Sequence, residues 1–254
     1  MEHVKVVVIP DIQAPRHDET AVNTAIKIVK GERPNIVIFV GDVADLKSVS
    51  KYKDKSWEEA ATTADMEIEA ANEILGRFDQ AIPRKAKKVF LEGNHDRRLS
   101  LWFIQNAAKL GPNFNGNSIA DQLQLDQRGY EYVPTEQQPY RIGKVGFVHG
   151  WYANKYHANK TVSMAGQNLL YGHTHDYQVY TGPHLEKEAP RIAMSLGCLC
   201  DFRQPYLDSR ANNWCHGVGI VYIDEKTGRF WPYFCPIING ECVINGKVYR
   251  ATES

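Results

Sequence analysis

Two kinds of hydrophobic spacing divide the chain. In the first half, short continuous apolar runs alternate with stretches where apolar residues return every three or four positions; after Gly129 the short runs dominate. Val4 to Ile9, "NIVIFVGD" (Asn35 to Asp42) and "KKVFLEGNHD" (Lys87 to Asp96) read as buried strands. Asp18 is placed to cap a helix whose face is Ala21, Val22, Ala25, Ile26 and Val29, and which Gly31 closes. Ser56 and Glu59 have capping-box spacing and open a long helix reaching about Phe78; "RRLSLWFIQNAAKL" reads as another. The later strands are "VGFVHG", "NLLYGHTH", "RIAMSLG", "GVGIVYID" and "RFWPYFCP". Glu225 to Gly228, Asn239-Gly240 and Asn245-Gly246 supply hairpin turns. Strand–helix units leading into a strand-rich half, with no repeat or linker, predict one domain over residues 1–254. Its expected architecture is a layered α/β/β/α sandwich, two mixed sheets flanked by helices.

Composition narrows the function classes. With 254 residues, 43% hydrophobic and 24% charged, the chain can bury a full core. Lys+Arg and Asp+Glu both number 30, a balance that argues against an extended nucleic-acid surface while allowing a local basic cleft. The apolar run after Met1 to Lys5 is too short for a signal peptide, and no stretch approaches a membrane span, so the expected compartment is the cytoplasm. The five cysteines (Cys198, Cys200, Cys215, Cys235 and Cys242) lie late; the odd count favours free thiols, and C-x-C followed by scattered singles does not make a zinc spacing. Small buried apolar residues are the simpler reading.

The chemistry collects at strand ends, where open α/β sheets bind ligands. Asp11 follows "VVVIP", Asp42 follows "IVIFVG", Asn94-His95-Asp96 follow "VFLEG", His149 follows "VGFV", and His173 with His175 follow "NLLYG". One strand-terminal Asp usually serves a turn. Five such exits in succession, three with glycine directly before the polar residue, point to a shared site. Carboxylates, imidazoles and an amide, with no thiolate, suit Mn²⁺, Fe²⁺ or Zn²⁺. There are too many donors for one tetrahedral ion, and a carboxylate could bridge two. His3, His17, His157 and His184 lack a partner pattern and read as surface; His216, before a buried strand, is placed to line the pocket. The later tryptophans and tyrosines read as core and sheet faces rather than a base-stacking platform.

The ordered blocks "D-x-Q", "GDVAD", "GNHD", "HG" and "GHTH" resemble the calcineurin-like metallophosphoesterase family, over roughly Val4 to Asp176. The tail "SLGCLC…NNW…HG" is similar to members found in phages and prophages, which would make the compartment a host cytoplasm. The resemblance implies that Asp11 and His175 hold a first metal, that Asp42 bridges, and that Asn94, His149 and His173 hold a second. Gln13 stands where the family pattern has histidine. His95 would be general acid or donor to the substrate oxygen, and Asp96 would orient it or cap the next helix. Arg97 and Arg98 would reach phosphate oxygens or form a solvated helical turn. The implied cofactors are two divalent ions, Mn²⁺ foremost, with Fe²⁺, Zn²⁺ or Ni²⁺ as alternatives. The implied reaction is in-line attack of a bridging hydroxide on a small phosphoester, nucleotides included. An amide is a weaker donor than imidazole, so Gln13 leads to an expected preference for phosphodiesters such as cyclic nucleotides. Phosphomonoesterase, protein phosphatase and nuclease are the alternatives. A non-catalytic scaffold is the rival from another class, disfavoured because His95 and six of the seven expected ligands are present.

Overall fold

Val6 and Val8 face one way from the first strand and Val7 and Ile9 the other, and all four are fully buried. That double burial is why the run is continuously apolar rather than alternating. A computed structural model describes residues 3–52, 56–111, 114, 116–183, 190–207 and 210–251.

Strand β1 (His3–Ile9) is followed by helix α1 (Glu19–Glu32), β2 (Ile36–Phe39), α2 (Trp57–Ala61), α3 (Ala64–Ala81), β3 (Lys87–Leu91), α4 (Arg98–Asn106), α5 (Ile119–Gln122) and β4 (Tyr130–Val133). The second half contributes β5 (Tyr140–Ile142), β6 (Val145–Val148), α6 (His157–Ala165), β7 (Asn168–Tyr171), β8 (Val179–Thr181), β9 (Ile192–Ser195), β10 (Gly217–Asp224), β11 (Phe230–Pro236), β12 (Glu241–Ile244) and β13 (Lys247–Arg250). One sheet has the order β11-β10-β1-β2-β3-β4, with β1 to β4 parallel and the last two strands returning antiparallel, Val7 opposite Ile220. A second large sheet runs β5-β6-β7-β9-β8, parallel in the middle and antiparallel at its edges, and β12 and β13 pair with each other as a two-stranded antiparallel sheet.

The layers follow from where side chains go. Val6, Val8, Ile38 and Leu91 of the first sheet meet Phe147, Leu170 and Met194 of the second between the sheets. Val7, Ile9 and Phe39 instead meet Ile28 of α1 and Leu75 and Phe78 of α3 on the outer face. Across the molecule, Ala158 and Val162 of α6 cover Leu169, Tyr171 and Ala193. This is the expected α/β/β/α sandwich. Among the described residues no helix is long and apolar enough to cross a membrane.

Two local expectations are corrected. Ser56 does cap a helix, its hydroxyl accepting the Glu59 N–H at 3.1 Å, but α2 stops at Ala61 and α3 restarts at Ala64. The Thr62 hydroxyl bonds back to the Glu58 carbonyl and Thr63 turns its own to Asp65, leaving both threonines extended. Gly31 does not close α1, which ends with Arg33 in the left-handed region. Gly31 is instead a close-packing position: a Cβ there would stand 2.5 Å from the Tyr249 ring of β13.

Candidate metal centre

The carboxyl ends of β1, β2, β3, β6 and β7 deliver the expected residues into adjoining loops. Asp11, Gln13, Asp42, His149 and His175 are buried, and His95 and His173 are half-buried. Among the described residues nine non-glycine positions have positive φ, and four belong to this set: Gln13, Asp42, His173 and His175. Such backbone costs energy and persists where surrounding structure enforces it, so its concentration marks a functional site. Two glycines show how close the approach is. A Cβ on Gly93 would lie 2.1 Å from Asp42 Oδ1, and one on Gly172 would lie 2.2 Å from Asp11 Oδ2. The "GN" and "GH" pairs therefore exist because a carboxylate occupies the space a side chain would take.

Around Asp42 the donors converge. The Val40 carbonyl can only accept, so His149 Nδ1–H donates to it at 2.8 Å. That turns Nε2 toward Asn94 Oδ1 at 2.9 Å and Asp42 Oδ2 at 3.3 Å. Asp42, His149 and His173 bring one ligand atom each to within 4.8 Å of one another. On the other flank, Asp11 Oδ1 lies 3.3 Å and the Gln13 amide 3.4 Å from His175 Nε2, while Gln13 Oε1 is buried without a hydrogen-bond partner. Backbone N–H groups tie the flanks together, with the Asp42 carbonyl accepting the Gln13 N–H at 2.8 Å and the Asp11 carboxylate accepting the His173 N–H at 2.9 Å. Electron-pair donors facing one another in this way fit divalent cations on both flanks.

Electrostatics agree. Burial pushes His149 down, but the Asp42 carboxylate outweighs it and lifts the imidazole to about 10. His175 is likewise lifted to about 9 against burial, by its bond to Asp11. His173 goes the other way, to about 4, through burial and repulsion from His149. Asp42, despite burial, is held far below the usual carboxylate range by His149 and His95. The cluster favours positive charge between its carboxylates.

His95 stands at the edge of this centre, its backbone N–H donating to Asp42 Oδ1 at 2.7 Å. Its orienting partner is Asp45, whose Oδ1 lies 2.7 Å from Nδ1, and not the expected Asp96. Asp96 is fully buried and accepts the N–H groups of Asp42 (2.7 Å), Gly93 (3.0 Å) and Ala44 (3.2 Å), so it fastens the two loops that carry Asp42 and Asn94. It provides no cap for α4. Burial and the nearby Asp42 charge raise Asp96 to about 7. Asp45, the last residue of "GDVAD", was missed by the sequence reading; a second carboxylate in that block was the available signal.

The substrate-side expectations divide. Arg97 turns away and pairs with Glu136 at 2.6 Å. Arg98 enters the site instead, reaching His95 Nε2 at 2.9 Å and the Asp45 carbonyl at 2.6 Å. His216 is not among the residues lining the cavity: its Nε2 donates to the Cys200 carbonyl at 2.9 Å and its ring lies on Phe202. That cavity, of about 960 Å³, opens from Gln13, Asp42, His95, His173 and His175 to Lys47, Tyr52, Asn154, Lys155 and Trp214. His157, expected at the surface, is buried: it begins α6, whose inner face packs on the second sheet, with Nδ1 2.7 Å from the Tyr171 hydroxyl and Nε2 2.9 Å from Asp176. His3 is exposed, and His17 is half-buried against Glu19 at 3.0 Å. His184 lies outside the described residues.

The calcineurin-like phosphoesterase family matches residues 4–173, and the chain belongs to this family of metal-dependent, dinuclear phosphoesterases. The Gene 54 proteins of Mycobacterium phages D29 and L5 are each 24% identical to it, over alignments covering 97% of this chain and 98% of theirs. Among solved structures, Vps29 of Chaetomium thermophilum is 10% identical with a TM-score of 0.41, over 97% of this chain and 98% of its own. The E. coli phosphoesterase Yfce is 13% identical with a TM-score of 0.38, over 90% of this chain and 98% of its own.

Proposed function

We propose that the chain hydrolyses phosphoesters at a dinuclear metal centre and favours phosphodiesters, cyclic nucleotides among them, over monoesters. The observation that supports this most is the convergence of oxygen and nitrogen donors on both sides of Asp42, with His95 at the rim. Asp11, Gln13 and His175 would hold one ion and Asn94, His149 and His173 the other, with Asp42 serving both. When bound, such an ion pair supplies a nucleophile from water at neutral pH and neutralises phosphoryl oxygens. The donors suit Mn²⁺, with Fe²⁺, Zn²⁺ or Ni²⁺ as alternatives.

The remaining work falls to side chains. Asp45 accepts from Nδ1–H of His95, so Nε2 is the atom that faces the departing alkoxide and delivers a proton to it after taking one from solvent. Arg98 sits beside that nitrogen and binds a non-bridging phosphoryl oxygen, releasing Nε2 to the leaving group. The cavity beyond the centre takes the rest of the ester. Gln13, a weaker donor than imidazole, would hold its ion less tightly, which favours a diester monoanion over a monoester dianion.

The test is a panel of mono-, di- and cyclic phosphoesters assayed with Mn²⁺ added back to chelated protein. The expected result is metal-dependent turnover, highest on diesters. Dominant monoester turnover would favour a phosphatase, and cleavage of nucleic acid alone a nuclease. No turnover with any metal would leave a non-catalytic scaffold.

A further inference from the structure

His175 has a second face. Where the other ring nitrogen of a metal-ligating histidine ordinarily meets an oxygen, as His149 does at Val40, the Nδ1 of His175 meets a sulfur, Cys200 Sγ at 3.6 Å. Cys198 joins them: His175, Cys198 and Cys200 bring one ligand atom each to within 4.8 Å of one another, and all three residues are buried. Positions two apart on extended backbone point to the same side, and both cysteines sit in β-bridges, Cys198 with His216 and Cys200 with His17. The cluster is fixed to the centre by backbone bonds. Cys198 N–H donates to the Cys215 carbonyl at 3.0 Å, Cys215 N–H to the His175 carbonyl at 2.9 Å, and Leu199 N–H to the Asp11 carbonyl at 2.7 Å.

We propose that Cys198, Cys200 and the Nδ1 face of His175 form a separate site for a soft, thiophilic cation such as Cd²⁺, back to back with the oxygen-and-nitrogen site on the Nε2 face. Sulfur donors select such ions where the outer face selects harder ones. Each thiol gives its proton to solvent as the ion binds. A neutral imidazole has one lone pair, so an ion on Nδ1 takes the ring away from an ion on Nε2. The two sites are therefore filled in competition, and a soft cation inhibits. That inhibitory consequence rests on the phosphoesterase reading; the thiol site does not.

The experiment titrates metal-free protein with Cd²⁺ and follows the ultraviolet thiolate-to-cadmium charge-transfer band. The expected result is a band saturating at one ion per chain with the intensity of two thiolates, retained in Cys235→Ser and Cys242→Ser and lost in the Cys198→Ser/Cys200→Ser double variant. In Mn²⁺-loaded wild type, Cd²⁺ should release one Mn²⁺ per chain, counted by electron paramagnetic resonance. No band in wild type, or a band that survives in the double variant, overturns the site; a full band with every Mn²⁺ retained overturns the competition. If the double variant does not fold, cadmium NMR of the wild type decides: a sulfur-ligated shift upholds the site and an oxygen-ligated shift overturns it. Absence of Mn²⁺-dependent turnover would sink the phosphoesterase reading and leave the cadmium band unchanged.

Discussion

Asp45 Oδ1 lies 2.7 Å from His95 Nδ1, and this contact sets which ring nitrogen of His95 faces the metal centre. A carboxylate accepts from Nδ1–H, so Nε2 points outward, 3.8 Å from Asp42 Oδ2. Replacing Asp45 with Asn exchanges an obligate acceptor for a group that can present a donor. Turnover of Asp45→Asn should fall by about 10–100-fold, the usual cost of losing an orienting partner. Metal content should stay near that of wild type. Elemental analysis beside steady-state kinetics checks both; unchanged turnover would deprive Asp45 of its role.

His95 itself is expected to separate chemistry from metal binding. His95→Ala should keep its metals and lose about 10²–10⁴-fold in turnover, the contribution of a general acid. The loss should shrink on esters with good leaving groups, which need little protonation. A variant depleted of metal would make His95 a ligand instead.

Gln13 offers an amide where the resemblance implies histidine, and its Oε1 is buried without a partner. Gln13→His should tighten the ion on the Asp11 flank, seen as a lower Mn²⁺ requirement for activity. It should also raise monoester relative to diester turnover. Matched esters assayed on both proteins give the ratio, and an unchanged ratio would remove Gln13 from selectivity.

Gly172 tests the cradle around Asp11. A methyl group at this position meets Asp11 Oδ2 at 2.2 Å, so Gly172→Ala must displace the carboxylate or the strand exit. We expect a destabilisation of about 1–3 kcal/mol, typical of overpacking, in denaturant unfolding. Metal loss should be confined to the His175 flank. Full metal content at wild-type affinity would show that Asp11 is not held there.

Much of this was legible in the sequence, for a physical reason. Strands buried on both faces are continuous apolar runs, and each run ends at a polar residue whose close approach to its neighbours often demands a preceding glycine, as at Gly93-Asn94 and Gly172-His173. Both signals are local. What was missed depends on non-local approach. Asp45 is a second carboxylate in its block, but its partners are set only when the helix bearing Arg98 arrives beside it. Asp96 looks like a partner for the adjacent His95, yet its oxygens face backbone N–H groups more than fifty residues away at Asp42 and Ala44. Arg97 and Arg98 are equivalent by composition, and only the helical direction sends one to Glu136 and the other into the site. His157 lacked a motif because its partners lie elsewhere in the chain, Tyr171 at the end of β7 and Asp176 in the loop after it.

The proposed sharing of Asp42 by two ions makes both sites depend on one carboxylate. Metal-to-protein stoichiometry of wild type and Asp42→Asn after reconstitution with Mn²⁺ tests it most directly. Two ions per chain are expected in wild type, with a fall at both sites together, to well under one, in the variant. A wild type that binds a single ion, or a variant that retains both, would contradict it.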